Sequence, residues 1–259
     1  MSTANLSITA PESRFSDRVE NYVKYRPGYP REMIEYISVK AGLNPQKAIA
    51  DIGSGTGISA RYFLQGNYTV FGVEPNSNMR HAAEKYLQAY PLFKSVEGTA
   101  GHTNLPANSI DLIICAQAFH WFNTPETKTE FQRIAKENAY LALIWNDRKA
   151  NEPLQQAYEK IIQDFSIDYN EVTHRNITSE AIESFFQPFE VEKKTFYYAQ
   201  QFDWEGFLGR VISSSYMPGE NHPDYPHMKQ ALADIYQKFN REGILTFAYD
   251  TNLFLGQIK

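Results

Sequence analysis

Cysteine is nearly absent from this chain: one residue, Cys115, in 259. A lone thiol can neither close an intrachain disulfide nor build a thiolate metal cluster, so a stapled secreted scaffold is excluded and a reducing, cytoplasmic compartment is expected. Long basic runs are lacking too. No Lys/Arg run exceeds a pair such as Lys193 and Lys194, and the formal charge is −5. Nothing there can neutralise a row of phosphates, and nucleic acid is not an expected partner. Nowhere do eighteen apolar residues follow one another, and MSTANLSITAPESRF has neither a basic start nor an apolar core. No spanning helix and no secretory leader are therefore expected. The chain also lacks internal repeats and low-complexity linkers.

What is present is ordinary for a folded chain except in its rings. Hydrophobic residues make up 42%, while 17 Tyr and 17 Phe help bring aromatics to 14%, enough to fill a core and also line a pocket. The length suits one domain, or a domain with a substantial cap. From residue 46 to 148, apolar runs alternate with polar-patterned segments: AIADI, YTVFGVE, FKSVEG, IDLIICA and AYLALIW. Continuous apolarity predicts strands covered on both faces, as in a parallel sheet wrapped by helices. Thr124 is placed to cap a helix with Pro125 at its first position, and Phe131, Ile134 and Ala135 mark that helix's inward face. Later, Met228, Leu232, Ile235, Tyr236 and Phe239 form a helical stripe that Gly243 is placed to stop. FEVEKKTFYYAQQF and GILTFAYDTNLFLGQI are rich in β-branched and aromatic residues and predict two late strands, able to extend the sheet antiparallel.

The chemistry begins in IADIGSGTG, residues 49 to 57. Gly53, Gly55 and Gly57 follow a predicted strand and precede a predicted helix, the context of a nucleotide-type loop. The dinucleotide fingerprint separates its last two glycines by two residues; here one residue separates them. Asp51, just before the first glycine, would repel a pyrophosphate and attract an ammonium group. Glu74 ends the next strand, twenty-three positions on, where a carboxylate can accept from both hydroxyls of a ribose. Adenosine without the pyrophosphate fits this pair. The plainer alternative makes Asp51 a turn cap and Glu74 a solvated strand end.

IADIGSGTG, VFGVEP and VEGTAGHTNLPANSIDLIICAQAFHWF together resemble a class I S-adenosylmethionine-dependent methyltransferase. More narrowly, YVKYRPGYP, AFHWF and FLGRVISSSYMPG are similar to the trans-aconitate methyltransferase-like branch. The resemblance implies an α/β fold, a doubly wound, mostly parallel seven-stranded Rossmann-like sheet with a helical cap. It implies an N-terminal cap segment (1–45), a cofactor-binding core (46–148), and cap helices plus the last two strands (149–259). It further implies that Gly53, Ser54 and Gly55 pack on S-adenosylmethionine, that Asp51 sits near its ammonium, and that Glu74 holds the ribose with Pro75 and Asn76 by the adenine. Thr99 and Ala100 fall where relatives contact the adenine edge, although many carry Asp at the first place. Gln117 and Ala118 would meet the methionine end, and Tyr22 and Arg26 would lie over the cofactor.

His120 and Trp121 follow a predicted strand end close to where the methyl group emerges, either as a wall for the acceptor or as packing under the cap. Tyr216, with Ser214 and Ser215, would close over the acceptor. Metal is not expected: only His102 lies near His120 in sequence, and Cys115 is inside an apolar strand. The expected activity is in-line methyl transfer to a small molecule, a carboxylate being one candidate since it needs no general base. A non-catalytic sensor of the same cofactor, or a nicotinamide oxidoreductase using the same crevice, are the rival readings. Composition carries no information on oligomeric state.

Overall fold

The computed structural model describes residues 25–167, 177–214 and 216–259. Tyr22 and Ser215 lie outside the described residues. Seven strands form one sheet in the order β3-β2-β1-β4-β5-β7-β6: β1 (Ala48–Ile52), β2 (Thr69–Val73), β3 (Phe93–Val96), β4 (Ile110–Ala116), β5 (Ala135–Arg148), β6 (Val191–Phe202) and β7 (Leu245–Gln257). The first five pair in parallel. β7 is inserted antiparallel between β5 and β6. This is the doubly wound, mostly parallel sheet expected, with both late strands in it.

Both faces are covered, which explains why the strands read as continuous apolar runs. Successive side chains of a strand point to opposite faces. Ala50, Ile113 and Cys115 accordingly pack with Phe131 and Ile134 of α4 (Pro125–Ile134) and with Ile182, Phe185 and Phe186 of α6 (Ser179–Phe186). Ile49, Leu112 and Ile114 pack on the other face with Met33 and Ile37 of α1 (Arg31–Lys40) and Phe63 of α2 (Ile58–Gln65). α1 precedes the division expected at residue 45, yet it buries its apolar face against β1.

Helix ends follow local chemistry. The Thr124 side chain accepts from the Thr127 amide and Pro125 opens α4, as anticipated. Asn76 caps α3 (Ser77–Tyr86) by accepting from the amides of Asn78 and Met79. α8 (Tyr225–Phe239) does bury Met228, Leu232 and Ile235, but it stops at Asn240, not at Gly243. Asn240 is extended there, and its Oδ1 accepts from the Gly243 amide at 3.0 Å, closing a turn beyond the helix.

A third cluster forms the cap. Tyr158 and Ile162 of α5 (Pro153–Phe165), Phe207 and Val211 of α7 (Trp204–Ile212) and Leu232 of α8 bury themselves with Phe202, Leu245 and Phe247. The last three belong to β6 and β7. Beyond Arg148, where β5 ends opposite Tyr249, the β6–β7 ladder continues from Ala199↔Ala248 to Phe202↔Leu245. The cap therefore grows on an extension of the sheet itself.

Candidate active site

The strand order reverses between β1 and β4, and a crevice opens at the carboxyl ends of these strands, where doubly wound sheets bind ligands. The loop leaving β1 passes through left-handed backbone at each alternate glycine, with φ of 68° at Gly53, 54° at Gly55 and 82° at Gly57. A side chain at Gly53 would bring its Cβ to 2.8 Å from that of Ala118. The glycine spacing is thus a steric requirement of the turn. The amides of Gly53 and Ser54 donate to the Val73 carbonyl at 2.9 and 3.2 Å, tying the loop to β2.

Two carboxylates serve this loop differently. Glu74 lies at its edge: Oε2 accepts from the Gly55 amide at 3.0 Å and Oε1 from the Asn76 amide at 2.9 Å. Asp51 is fully buried behind the loop, where its Oδ2 accepts from Ser59 Oγ at 2.5 Å and its Oδ1 has no partner. Burial pushes its carboxyl up to about 7, against the hydroxyl of Ser59 and the amide of Ala60, with the charge of Glu74 adding to the rise.

Gly53, Ser54, Gly55 and Thr56 form one wall of a cavity of about 620 Å³. Gln117, His120 and Trp121 form a second. Gln117, at the end of β4, has φ +58°, a sparsely populated conformation for a residue with a side chain. The AFHWF segment divides there. Phe119 turns into the core, 4.7 Å between ring centroids from Phe185, while His120 and Trp121 face the cavity and Trp145 Nε1 lies 3.5 Å from His120 Nδ1.

The remaining wall comes from the cap and from the segment before α1. Arg26 donates from Nη2 to the Ser213 carbonyl at 3.3 Å. The chain beyond Arg26 is pinned from three elements: the Gly28 carbonyl accepts from Asn146 Nδ2 at 2.9 Å, the Gly28 amide donates to Tyr198 Oη and the Tyr29 amide to Tyr62 Oη. Tyr216 faces the same cavity, so the described parts of the two motifs, Arg26 to Tyr29 and Arg210 with Tyr216, meet at it. Burial raises the Tyr216 hydroxyl, but Arg148, Arg26 and Arg210 around it outweigh that and hold it below its ordinary value.

Other expected residues stay outside. Pro75 lies beyond the lining, its carbonyl accepting from Arg80 Nη1 at 2.7 Å. Thr99 is engaged in a bridge with His102, and Ala100 packs into the sheet core. Sequence reasoning passed over Thr56, Arg148, Lys193, Arg210 and Tyr249, all of which line the cavity. Arg148 was findable, since it ends a strand at the crevice edge. Among the described residues no three metal-ligating side chains cluster, and no helix is long and apolar enough to cross a membrane.

Residues 50–143 match the family described as "Methyltransferase domain". That stretch of the chain carries a methyltransferase domain. An uncharacterized methyltransferase of Schizosaccharomyces pombe is 28% identical over 150 residues, covering 58% of this chain and 59% of that protein. A Saccharomyces cerevisiae protein named "Probable S-adenosylmethionine-dependent methyltransferase" is 28% identical over 130 residues, 47% of this chain and 43% of its own. This chain thus spans less than two thirds of the length of either relative. The fold match is wider: the structure of a protein from Anaeromyxobacter dehalogenans, assigned as a type II methyltransferase, aligns with a TM-score of 0.68 at 20% identity, covering 90% of this chain and 98% of that one.

The methyltransferase domain offers S-adenosylmethionine a fitting surface. Asp51 Oδ1 is a buried acceptor without a donor and Thr56 Oγ1, in the cavity wall, is a buried hydroxyl without a partner. Buried polar atoms are seldom left so; Thr56 faces the cavity directly, and Asp51 stands behind the glycine loop that forms its wall.

Proposed function

We propose that this chain transfers a methyl group from S-adenosylmethionine to a small acid enclosed under the cap, with a carboxylate oxygen as the nucleophile. The observation that carries this reading is the charge of the cavity wall: Arg26, Lys193 and Arg210 face it, beside an Arg148 already paired with Glu159, against one acidic residue, Asp147, among the described lining residues. The loop from Gly53 to Thr56 and the carboxylates of Asp51 and Glu74 would hold the cofactor. When bound, it supplies a methyl already activated on a sulfonium.

The protein's own residues then have three tasks. The arginines orient the acid; His120, Trp121 and Tyr216 wall the path between donor and acceptor; the pinned segment Arg26 to Tyr29 keeps water out. Alignment of this kind accounts for much of the rate in a bimolecular displacement. The carboxylate oxygen forms the new C–O bond as the S–CH₃ bond breaks, and a cation and an anion become a neutral thioether and a neutral ester. No proton moves, because carboxylates are ionised at neutral pH. That is consistent with a site holding no acid/base pair among its described lining residues beyond His120 and Asp147. The similarity of YVKYRPGYP, AFHWF and FLGRVISSSYMPG to the trans-aconitate methyltransferase-like branch supports the same class of acceptor. A cytoplasmic setting agrees with the single buried thiol of Cys115.

The test is a mass-spectrometric screen of pooled small acids, their amides, and phenols with methyl-labelled cofactor. Label should appear in acids as alkali-labile methyl esters. Cofactor binding without transfer to any pool would favour a sensor, and label confined to phenols or amines would replace the acceptor.

A further inference from the structure

We infer that Arg210 is the residue by which this cavity selects its acceptor, anchoring an anionic group of the incoming molecule at the cap end. The inference rests on the methyl-transfer reading for what that molecule is; its physical basis is separate. Arg210 is 6% exposed, yet it lines the cavity. Its guanidinium meets hydroxyls alone, Nη1 lying 3.4 Å from Ser214 Oγ with the Tyr249 phenol bonded beside it, and its Nε is buried without a partner. Among the described residues no carboxylate pairs with it. The oxygens around it are phenolic, from Tyr158, Tyr216 and Tyr249.

Arginine is almost never buried without a counter-charge, because desolvating a cation costs several kcal/mol that only an anion and well-placed hydrogen bonds offset. Other largely buried guanidinium groups obey the rule: Arg148 pairs with Glu159 at 2.6 Å and Arg80 with Glu97 at 2.9 Å. Arg210, buried and without a carboxylate among the described residues, departs from it, and it lines the cavity. It is also held firmly. α7 is capped by Asp203, whose Oδ1 accepts from the Gly206 amide at 2.7 Å, and Phe207 and Val211 root the helix in the cap core. The Arg210 carbonyl accepts from Ser213 Oγ at 2.6 Å, and the Ser213 carbonyl accepts from Arg26. Two guanidinium groups are thereby tied to one turn of chain. An acceptor anion beside them relieves their mutual repulsion and satisfies the open N–H; a neutral acceptor of the same shape does neither.

The experiment is calorimetry on the full chain saturated with S-adenosylhomocysteine, titrated with a panel of two- to eight-carbon carboxylates and their matching primary amides. At least one carboxylate should bind about 30-fold or more tightly than its amide, the size expected when a buried charged hydrogen-bonding site is left unmatched. Arg210→Gln should erase that preference by weakening the carboxylate alone. Arg210→Lys keeps the charge but loses the fork, and should weaken the carboxylate by about tenfold; it serves if the glutamine variant does not fold. Equal binding of acids and amides, no binding by any acid of the panel, or a folded variant with an unchanged carboxylate Kd would overturn the inference. Because binding is read, a protein that holds acids but transfers no methyl refutes the proposed activity and leaves this assignment standing. Transfer to neutral acceptors without acid selectivity does the reverse.

Discussion

Asp51→Asn should stabilise the cofactor-free protein above neutral pH while weakening its hold on cofactor, and the first effect has a calculable size. Asp51 is wholly buried, and burial raises its carboxyl from 3.8 to about 7. Between those values the folded protein retains a proton that the unfolded chain has released, so unfolding free energy falls as pH rises through this window. The cost is absent below 3.8 and complete above 7. At about 1.4 kcal/mol per decade of proton affinity it amounts to about 4 kcal/mol, of which about 3 fall between pH 5 and 8. Asparagine does not titrate and keeps an oxygen for Ser59 Oγ. Its amide nitrogen, set where Oδ1 now lacks a partner, costs about 1–3 kcal/mol at every pH. The variant should therefore be no more stable than wild type at pH 5 and more stable at pH 8. Urea unfolding of both cofactor-free proteins at pH 5, 6, 7 and 8 reads this directly, because titrations common to both, such as that of Glu130, cancel in the difference. A difference that stays constant across the four pH values would refute the burial argument for Asp51.

Glu74→Ala removes the acceptor of the Gly55 and Asn76 amides together with the carboxylate proposed to hold the ribose, and should weaken S-adenosylmethionine by about 2–4 kcal/mol in calorimetry; NAD should not bind either protein. Gly53→Ala puts a methyl 2.8 Å from Ala118 Cβ at a left-handed φ, and thermal unfolding should show a loss of about 1–3 kcal/mol with cofactor binding impaired beyond that. Asn146→Ala releases the Gly28 carbonyl and the Thr251 hydroxyl, which now donates to Asn146 Oδ1 at 2.7 Å. Hydrogen exchange across residues 26 to 30 should speed up by at least tenfold in that variant, with little change in β1 or β4.

The parts of this molecule written locally were legible in the sequence. Strands covered on both faces betray themselves as apolar runs, a Thr124–Pro125 step marks a helix start, and the alternate glycines forecast a turn that the backbone angles show. What was not legible depends on partners far apart in the chain. Asn146 and Gly28 are separated by 118 positions. Arg210 reads on a sequence as one polar residue on an amphipathic helix; only the cap packing shows that it is buried and faces a cavity. The fate of AFHWF also lay beyond sequence, since the sheet edge decides which ring turns inward. Gly243 misled because glycine commonly follows a helix, whereas here Asn240 ends it and the glycine serves the turn beyond.

The extended β6–β7 ladder has a mechanical consequence. The cap's apolar centre is seated on the overhang of two strands that run unbroken from the core, like a canopy on a cantilever. A canopy so mounted has no joint about which to swing as a rigid lid. Movement that admits molecules then falls to lighter pieces of the wall, such as the stretch from Arg26 to Tyr29. Loosening that stretch should change how fast molecules enter and leave, whereas alterations to α7 and its neighbours should change which molecules are admitted.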